Sequence, residues 1–252
     1  FYNAHARGIR LKVVADKASS QPGYAVNKMI VAKKHVESGR FKTLADLKGM
    51  KVATNAPGNS GWGSLWGYLR AAGLDFKDVS TLDLAYPEHV LALQNNAVDC
   101  GVTTEPSATN AVLKGAAVVA MTDDQTIPRH AVAQILFSEK MAGNADLGKR
   151  FMKAYLRSIR YYFGAFKDGK LAGPNAEEII AVLTESTPIK DPEVYRTITP
   201  NGVDPDGKID IARIRPLARL GYLDYTSVEA FFTMMPKGVD AEASMRGRAG
   251  QT

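Results

Sequence analysis

With 252 residues, 45% of them hydrophobic, the chain can bury a sizeable core and form one large domain or two lobes. The formal net charge of +6 comes from Lys and Arg dispersed along the chain, which argues against a nucleic-acid stripe and favours a small anionic ligand or plain solubility. The single cysteine, Cys100, supports neither an internal disulfide nor a cysteine-based metal site, and no apolar run reaches the roughly 18 residues of a membrane-spanning helix.

In chain order, residues 9–15 alternate and then become fully apolar, as a buried parallel strand does. The start at Phe1-Tyr2-Asn3, with neither an initiator Met nor a signal-peptide pattern, reads as residues missing upstream. Residues 19–23 form a loop and 24–32 a second strand. Thr43 stands as an N-cap with Asp46 at capping-box spacing, so a one-turn helix precedes Gly49. Residues 51–54 are the next strand. The loop Pro57-Gly58-Asn59-Ser60-Gly61 then opens a helix marked by Leu65, Leu69 and Ala72 and stopped at Gly73. Such an entry leaves the first N–H groups of the helix free, with the positive end of its dipole behind them, which suits a carboxylate, sulfonate or phosphate. The same stretch also reads as an ordinary crossover with water on its amides.

Residues 79–84 follow as a strand, Pro87 opens a helix through Asn95, 98–103 is a strand, Pro106 opens a helix to Lys114, and 116–121 is a strand. This alternation predicts parallel strands joined by crossovers in a compact α/β lobe. Residues 131–137 form another strand, after which helical spacing dominates at 147–163, 176–184, 192–197, 211–220 and 227–232. These late helices need a sheet, and the opening strand supplies it. The expected division is therefore a first lobe from 1–29 and 129–252 around a second lobe at 30–128, with two crossings between them and a ligand in the seam.

Several motifs occur in order: Asp46-Leu47-Lys48-Gly49-Met50-Lys51-Val52-Ala53, Ala72-Gly73-Leu74, Ala92-Leu93-Gln94-Asn95-Asn96-Ala97-Val98-Asp99, Thr104-Glu105-Pro106, and a closing Asn201-Gly202 to Gly221-Tyr222-Leu223. Together they resemble the solute-binding proteins of ABC transporters for nitrate, sulfonates, taurine and thiamine-pyrimidine precursors. The resemblance implies an α/β, two-lobed periplasmic-binding-protein-like fold of type II, with the N-terminal part of the first lobe missing. It further implies a monomeric, non-enzymatic receptor without cofactor, periplasmic or lipid-anchored, that hands a small anionic ligand to an ABC permease and binds no nucleic acid.

By the same resemblance the binding residues are Asn59, Ser60, Gly61 and Trp62 in the loop, Thr104 and Glu105 at the turn, Ser20 and Gln21, and Arg129 and His130 on the returning segment. Ser60 and the amides of Gly61 and Trp62 would hold the anionic head, Trp62 would wall the ligand or else pack beside Trp66, and Arg129 would pair with a carboxylate or else lie solvated. Glu105 sits awkwardly near an anion and serves either as a helix cap or as the partner of a ligand amine. His5, His35, His89 and His130 have no metal-ligand spacing, and Asp204, Asp206 and Asp210 around Gly207 lack the remaining ligands of a calcium loop. Neither a phosphate loop nor a nucleophile elbow is present. Two rivals share the fold: a pyrimidine-precursor synthase, which a lone cysteine disfavours, and the effector domain of a transcription regulator.

Overall fold

The computed structural model of the chain describes residues 8–128 and 130–209. Its contacts divide the described residues into two units, one formed by 8–18, 133–160 and 203–209, the other by 19–128, 130–132 and 161–202. The segment 161–202, which the sequence reading places on the return to the first lobe, thus groups with the larger unit.

In chain order the strands and helices begin with β1 (Leu11–Ser19), β2 (Asn27–Ala32) and α1 (Lys33–Glu37), followed by β3 (Lys51–Thr54) and α2 (Ser60–Ala71). Next come β4 (Ser80–Asp83), α3 (Glu88–Gln94), β5 (Cys100–Thr104), α4 (Ser107–Leu113), β6 (Ala117–Thr122) and α5 (Asp123–Thr126). The remainder comprises β7 (Ala131–Ser138), α6 (Glu139–Gly143), α7 (Ala145–Gly164), the short β8 (Phe166–Lys167) and β9 (Lys170–Leu171), α8 (Ala176–Ser186) and α9 (Pro192–Thr197). The helices expected at 211–220 and 227–232 lie outside the described residues.

The larger unit is built on a five-stranded sheet in the order β4-β3-β5-β2-β6. β3 runs parallel to β4 and β5, as the strand-helix alternation predicts, whereas β2 is antiparallel to both its neighbours, with Met29 opposite Val102 and Ile30 opposite Val119. β2 is buried along its whole length, so its side chains serve both faces. Met29 and Val31 join Val52, Cys100 and Val102 beneath Leu65, Tyr68 and Leu69 of α2. Ile30, Ala32 and Ala53 face the other way, under Val90 and Leu93 of α3 and Ala108 and Ala111 of α4. Each fully buried Leu contributes on the order of 2 kcal/mol of transfer free energy, so these two layers hold the sheet and fix where α2 begins.

A third core joins α8 and α9 to the β8–β9 hairpin through Ala165, Leu171, Ile179, Ile180, Val194 and Tyr195. α9 also packs on α4, which attaches this subdomain to the five-stranded unit. The hairpin turns at Asp168 (φ 52°) and Gly169 (φ 72°), consecutive left-handed residues as a two-residue type I′ turn requires.

In the smaller unit β1 pairs with β7, and α7 approaches β7 where Gly148 has no side chain: a Cβ there would stand 3.2 Å from the Phe137 ring. Phe151 meets Phe137 edge to face at 5.6 Å. Tyr155 donates to the carbonyl of Asp16 (2.7 Å), whose carboxylate accepts from the Asp204 amide (3.0 Å). Asp204 Oδ1 in turn accepts from the amides of Asp206 (2.9 Å) and Lys208 (3.1 Å), so this acidic stretch is a hydrogen-bonded turn. Asp210 lies outside the described residues.

Candidate functional site

The carboxyl end of β3 passes through Gly58 (φ 74°) to Asn59, which is extended and caps α2: its Oδ1 accepts from the Trp62 amide at 3.1 Å. The Asn59 Nδ2 donates to Asn55 Oδ1 (3.2 Å), closing the loop on itself. Among the described residues no acceptor engages the amides of Ser60 and Gly61. A Cβ on Gly61 would lie 3.2 Å from Asn59 Oδ1, 3.5 Å from the Tyr86 hydroxyl and 3.9 Å from Val102, so this first turn sits close against β5 and the loop leading into α3. Burial raises the Tyr86 pKa, which keeps its hydroxyl protonated and able to donate. The sequence reading did not select Tyr86; its place ahead of Pro87 at a helix entry was the available signal.

The Tyr86 hydroxyl thus stands close to Gly61 at the start of a twelve-residue helix whose first amides, those of Ser60 and Gly61, find no acceptor among the described residues. They form a set of neutral donors aligned with a positive helix terminus. Trp62 is half-buried and stacks on Phe76 with ring centroids 4.7 Å apart; Phe76 in turn packs against the core. Its ring is therefore engaged at the edge of that core.

The remaining residues named from the sequence fall into two groups. Thr104 ends β5, half-buried and opposite Asn27. Glu105 forms a buried ion pair with Lys28, their side chains 5% and 6% exposed, and accepts from the Thr109 amide (3.1 Å) and hydroxyl (3.0 Å). Glu105 precedes Pro106, the N-cap of α4, and ties the first turn of that helix to the Lys28 cation.

Ser20 and His130 meet elsewhere, around Asp123. This carboxylate is fully buried and receives the Ser20 hydroxyl (2.6 Å), the Asn27 amide (3.1 Å) and the Ser64 hydroxyl (3.2 Å), with His130 Nδ1 at 3.2 Å. Charge-assisted bonds of this kind compensate the desolvation of a buried carboxylate. Ser64 also contacts the Ser60 carbonyl (3.3 Å), so the cluster lies one turn along α2 from the free amides. Gln21 sits in the adjoining turn, bridged to Tyr24, with its Nε2 3.5 Å from the Ser19 hydroxyl. Arg129 lies outside the described residues. The sequence reading missed Asp123, although Thr122 and Gln125 form the capping box that starts α5 beside it.

Cys100 is fully buried in β5, and burial pushes its thiol pKa strongly up, so it is an inert core residue. Among the described residues no group of three or more His, Cys, Asp or Glu side chains could hold a metal ion, and no helix is long and apolar enough to cross a membrane.

Solved structures share this fold. A ligand-binding component of an ABC-type import system from Staphylococcus aureus with zinc bound has a TM-score of 0.68 at 12% identity, covering 89% of this chain and 71% of that one. The alkanesulfonate-binding protein SsuA from Xanthomonas axonopodis pv. citri, bound to MOPS, has a TM-score of 0.65 at 19% identity, covering 90% and 72%. The periplasmic nitrate-binding protein NrtA from Synechocystis PCC 6803 has a TM-score of 0.64 at 16% identity, covering 98% and 66%. At such identities the likeness establishes an α/β fold of the periplasmic-binding-protein kind. No curated protein matches the sequence. The NMT1-like family matches residues 7–165, well over half of the chain, and the chain belongs to that family.

Proposed function

We propose that the protein is the solute receptor of an ABC-type import system, capturing a small organic anion such as a sulfonate or carboxylate and presenting it to a membrane permease. The observation that carries the anionic part is the start of α2, where the Ser60 and Gly61 amides find no acceptor among the described residues and stand beside the Tyr86 hydroxyl at the carboxyl ends of β3 and β5. The family and the shared fold support the receptor role. The single, buried cysteine disfavours the pyrimidine-precursor synthase as the alternative.

In this reading the protein is monomeric and exported, its lobes divide at 29/30 and 128/129, and the ligand stabilises a hinge motion of the chain. Asn59, Ser60, Gly61 and Thr104 contact the ligand, Trp62 borders it, and Arg129 pairs with its charge. Ser20, Gln21, Glu105 and His130 hold the surrounding backbone in place. The test is a thermal-shift screen of the purified protein against alkanesulfonates, aliphatic and aromatic carboxylates, nitrate and neutral pyrimidines. Stabilisation by at least one organic anion, growing with its concentration, is the expected outcome. Stabilisation by neutral pyrimidines alone, or by none of the panel, would remove the anionic assignment.

A further inference from the structure

Away from the start of α2, the larger unit contains a cavity of about 130 Å³ between the β5–α4 turn, the end of α7, and α8 with α9. Its wall is largely apolar, formed by Pro106, Leu183, Ile198 and the rings of Tyr162 and Tyr195. A cavity of roughly 150 Å³ accepts a benzene-sized guest, so there is room for one small ring.

The polar groups of the wall define the guest's chemistry. Among the described residues Glu105 is the only charged one in the lining, and its charge is already matched by Lys28 in a buried pair. A charged guest would enter without a counter-charge, which disfavours both ammonium and carboxylate. The Thr187 and Tyr195 hydroxyls bond to each other and to the Ile189 carbonyl. Asn201 is different: its Oδ1 is buried and has no hydrogen-bond partner among the described residues. A buried acceptor left unmatched costs about 1–3 kcal/mol, and a carboxamide edge offers a donor beside that acceptor. Tyr162 completes the set, since burial first and the nearby Glu105 charge second push its pKa up to about 12 and keep its hydroxyl a donor.

We propose that this cavity binds a small neutral amide, a cyclic amide of about five to seven non-hydrogen atoms that pairs edge to edge with the Asn201 carboxamide and accepts from the Tyr162 hydroxyl. The site goes beyond the anion receptor reading and does not depend on it. Adjacent donor and acceptor on one guest edge satisfy both ends of the carboxamide, while the ring fills the apolar remainder.

The probe is 2-pyrrolidinone, titrated into the protein with saturation-transfer NMR as readout, with cyclopentanone (acceptor only) and cyclopentylammonium (cation) as controls of similar size. Binding of 2-pyrrolidinone should exceed that of both controls about tenfold, weaken about tenfold in Asn201→Leu, and vanish in Leu183→Trp, where an indole fills the space. Both variants should retain whatever anion binding the wild type shows, which separates this site from the start of α2. Equal binding of either control, no 2-pyrrolidinone signal at millimolar concentration, or undiminished binding in Leu183→Trp would overturn the proposal. If Asn201→Leu does not fold, Tyr162→Phe takes its place, with the same weakening expected.

Discussion

Single residues carry unequal structural weight here, and the buried polar ones carry most. Asp123 has donors from β2, α2 and the segments on either side of it, so Asp123→Ala strands Ser20, Asn27, Ser64 and His130 together. A loss of about 3–5 kcal/mol in chemical denaturation is expected, against less than about 1 kcal/mol for a surface aspartate such as Asp146. Gly202 is a second such point: a Cβ there would lie 2.2 Å from the Ser19 carbonyl, whose own amide donates to the Gly202 carbonyl at 2.8 Å. Gly202→Ala must push two backbones apart and should cost about 1–3 kcal/mol.

Asp99 provides a pH test. Burial would raise its pKa, but the Lys51 amide (2.9 Å), His35 (2.7 Å) and the Arg40 guanidinium (3.0 Å) outweigh burial and hold the carboxyl below its ordinary 3.8. A carboxylate with a lowered folded-state pKa adds stability above its unfolded value and loses it as pH falls through the folded one. Asp99→Asn should therefore flatten the acid limb of stability below about pH 4 while costing about 1–2 kcal/mol at pH 7. An acid limb identical to wild type would contradict the assigned contacts.

Among the elements, α2 joins core to site. Its apolar face, Leu65 and Leu69 with Tyr68, fixes the helix on the sheet, and Asn59 fixes its first turn. Leu65→Ala should lose about 2–5 kcal/mol by opening a cavity, whereas Asn59→Ala should lose only about 1 kcal/mol yet loosen the turn that presents the amides. Elements with strong local signals were legible in the sequence: β3, α9 behind its Asp191-Pro192 start, and the Thr43–Asp46 capping box all lie where spacing and capping place them. α1 was not legible, because β2 runs directly into it from Ala32 with no side-chain cap or turn residue between. The β8–β9 hairpin did carry an Asp-Gly signal, but its strands are two residues each, too short for any alternation to show. The direction of β2 was equally hidden, since a strand buried on both faces has the same pattern whichever way it runs.

At the scale of the whole molecule, ordered motifs carried the family assignment, and the fold followed from it. The functional groups were harder to read. Asn59, Ser60 and Gly61 stand together because they are neighbours in sequence, whereas Tyr86 joins them only because the loop ahead of α3 comes against the first turn of α2. Ser20 and His130, 110 positions apart, come together on a buried carboxylate that no local pattern distinguishes from a surface one. Spacing along a chain records periodicity and caps; it does not record which distant side chain will neutralise a buried charge.

The most direct measurement compares wild type with Ser60→Asp by calorimetric titration of the best-stabilising anion from the ligand screen. A carboxylate at the first position of α2 would occupy the helix terminus and stabilise the helix by about 0.3–1 kcal/mol, so the variant remains folded. The expected result is anion binding in wild type and at least tenfold weaker binding in a Ser60→Asp protein of equal or greater thermal stability. Undiminished binding in that folded variant would contradict a ligand held at the start of α2.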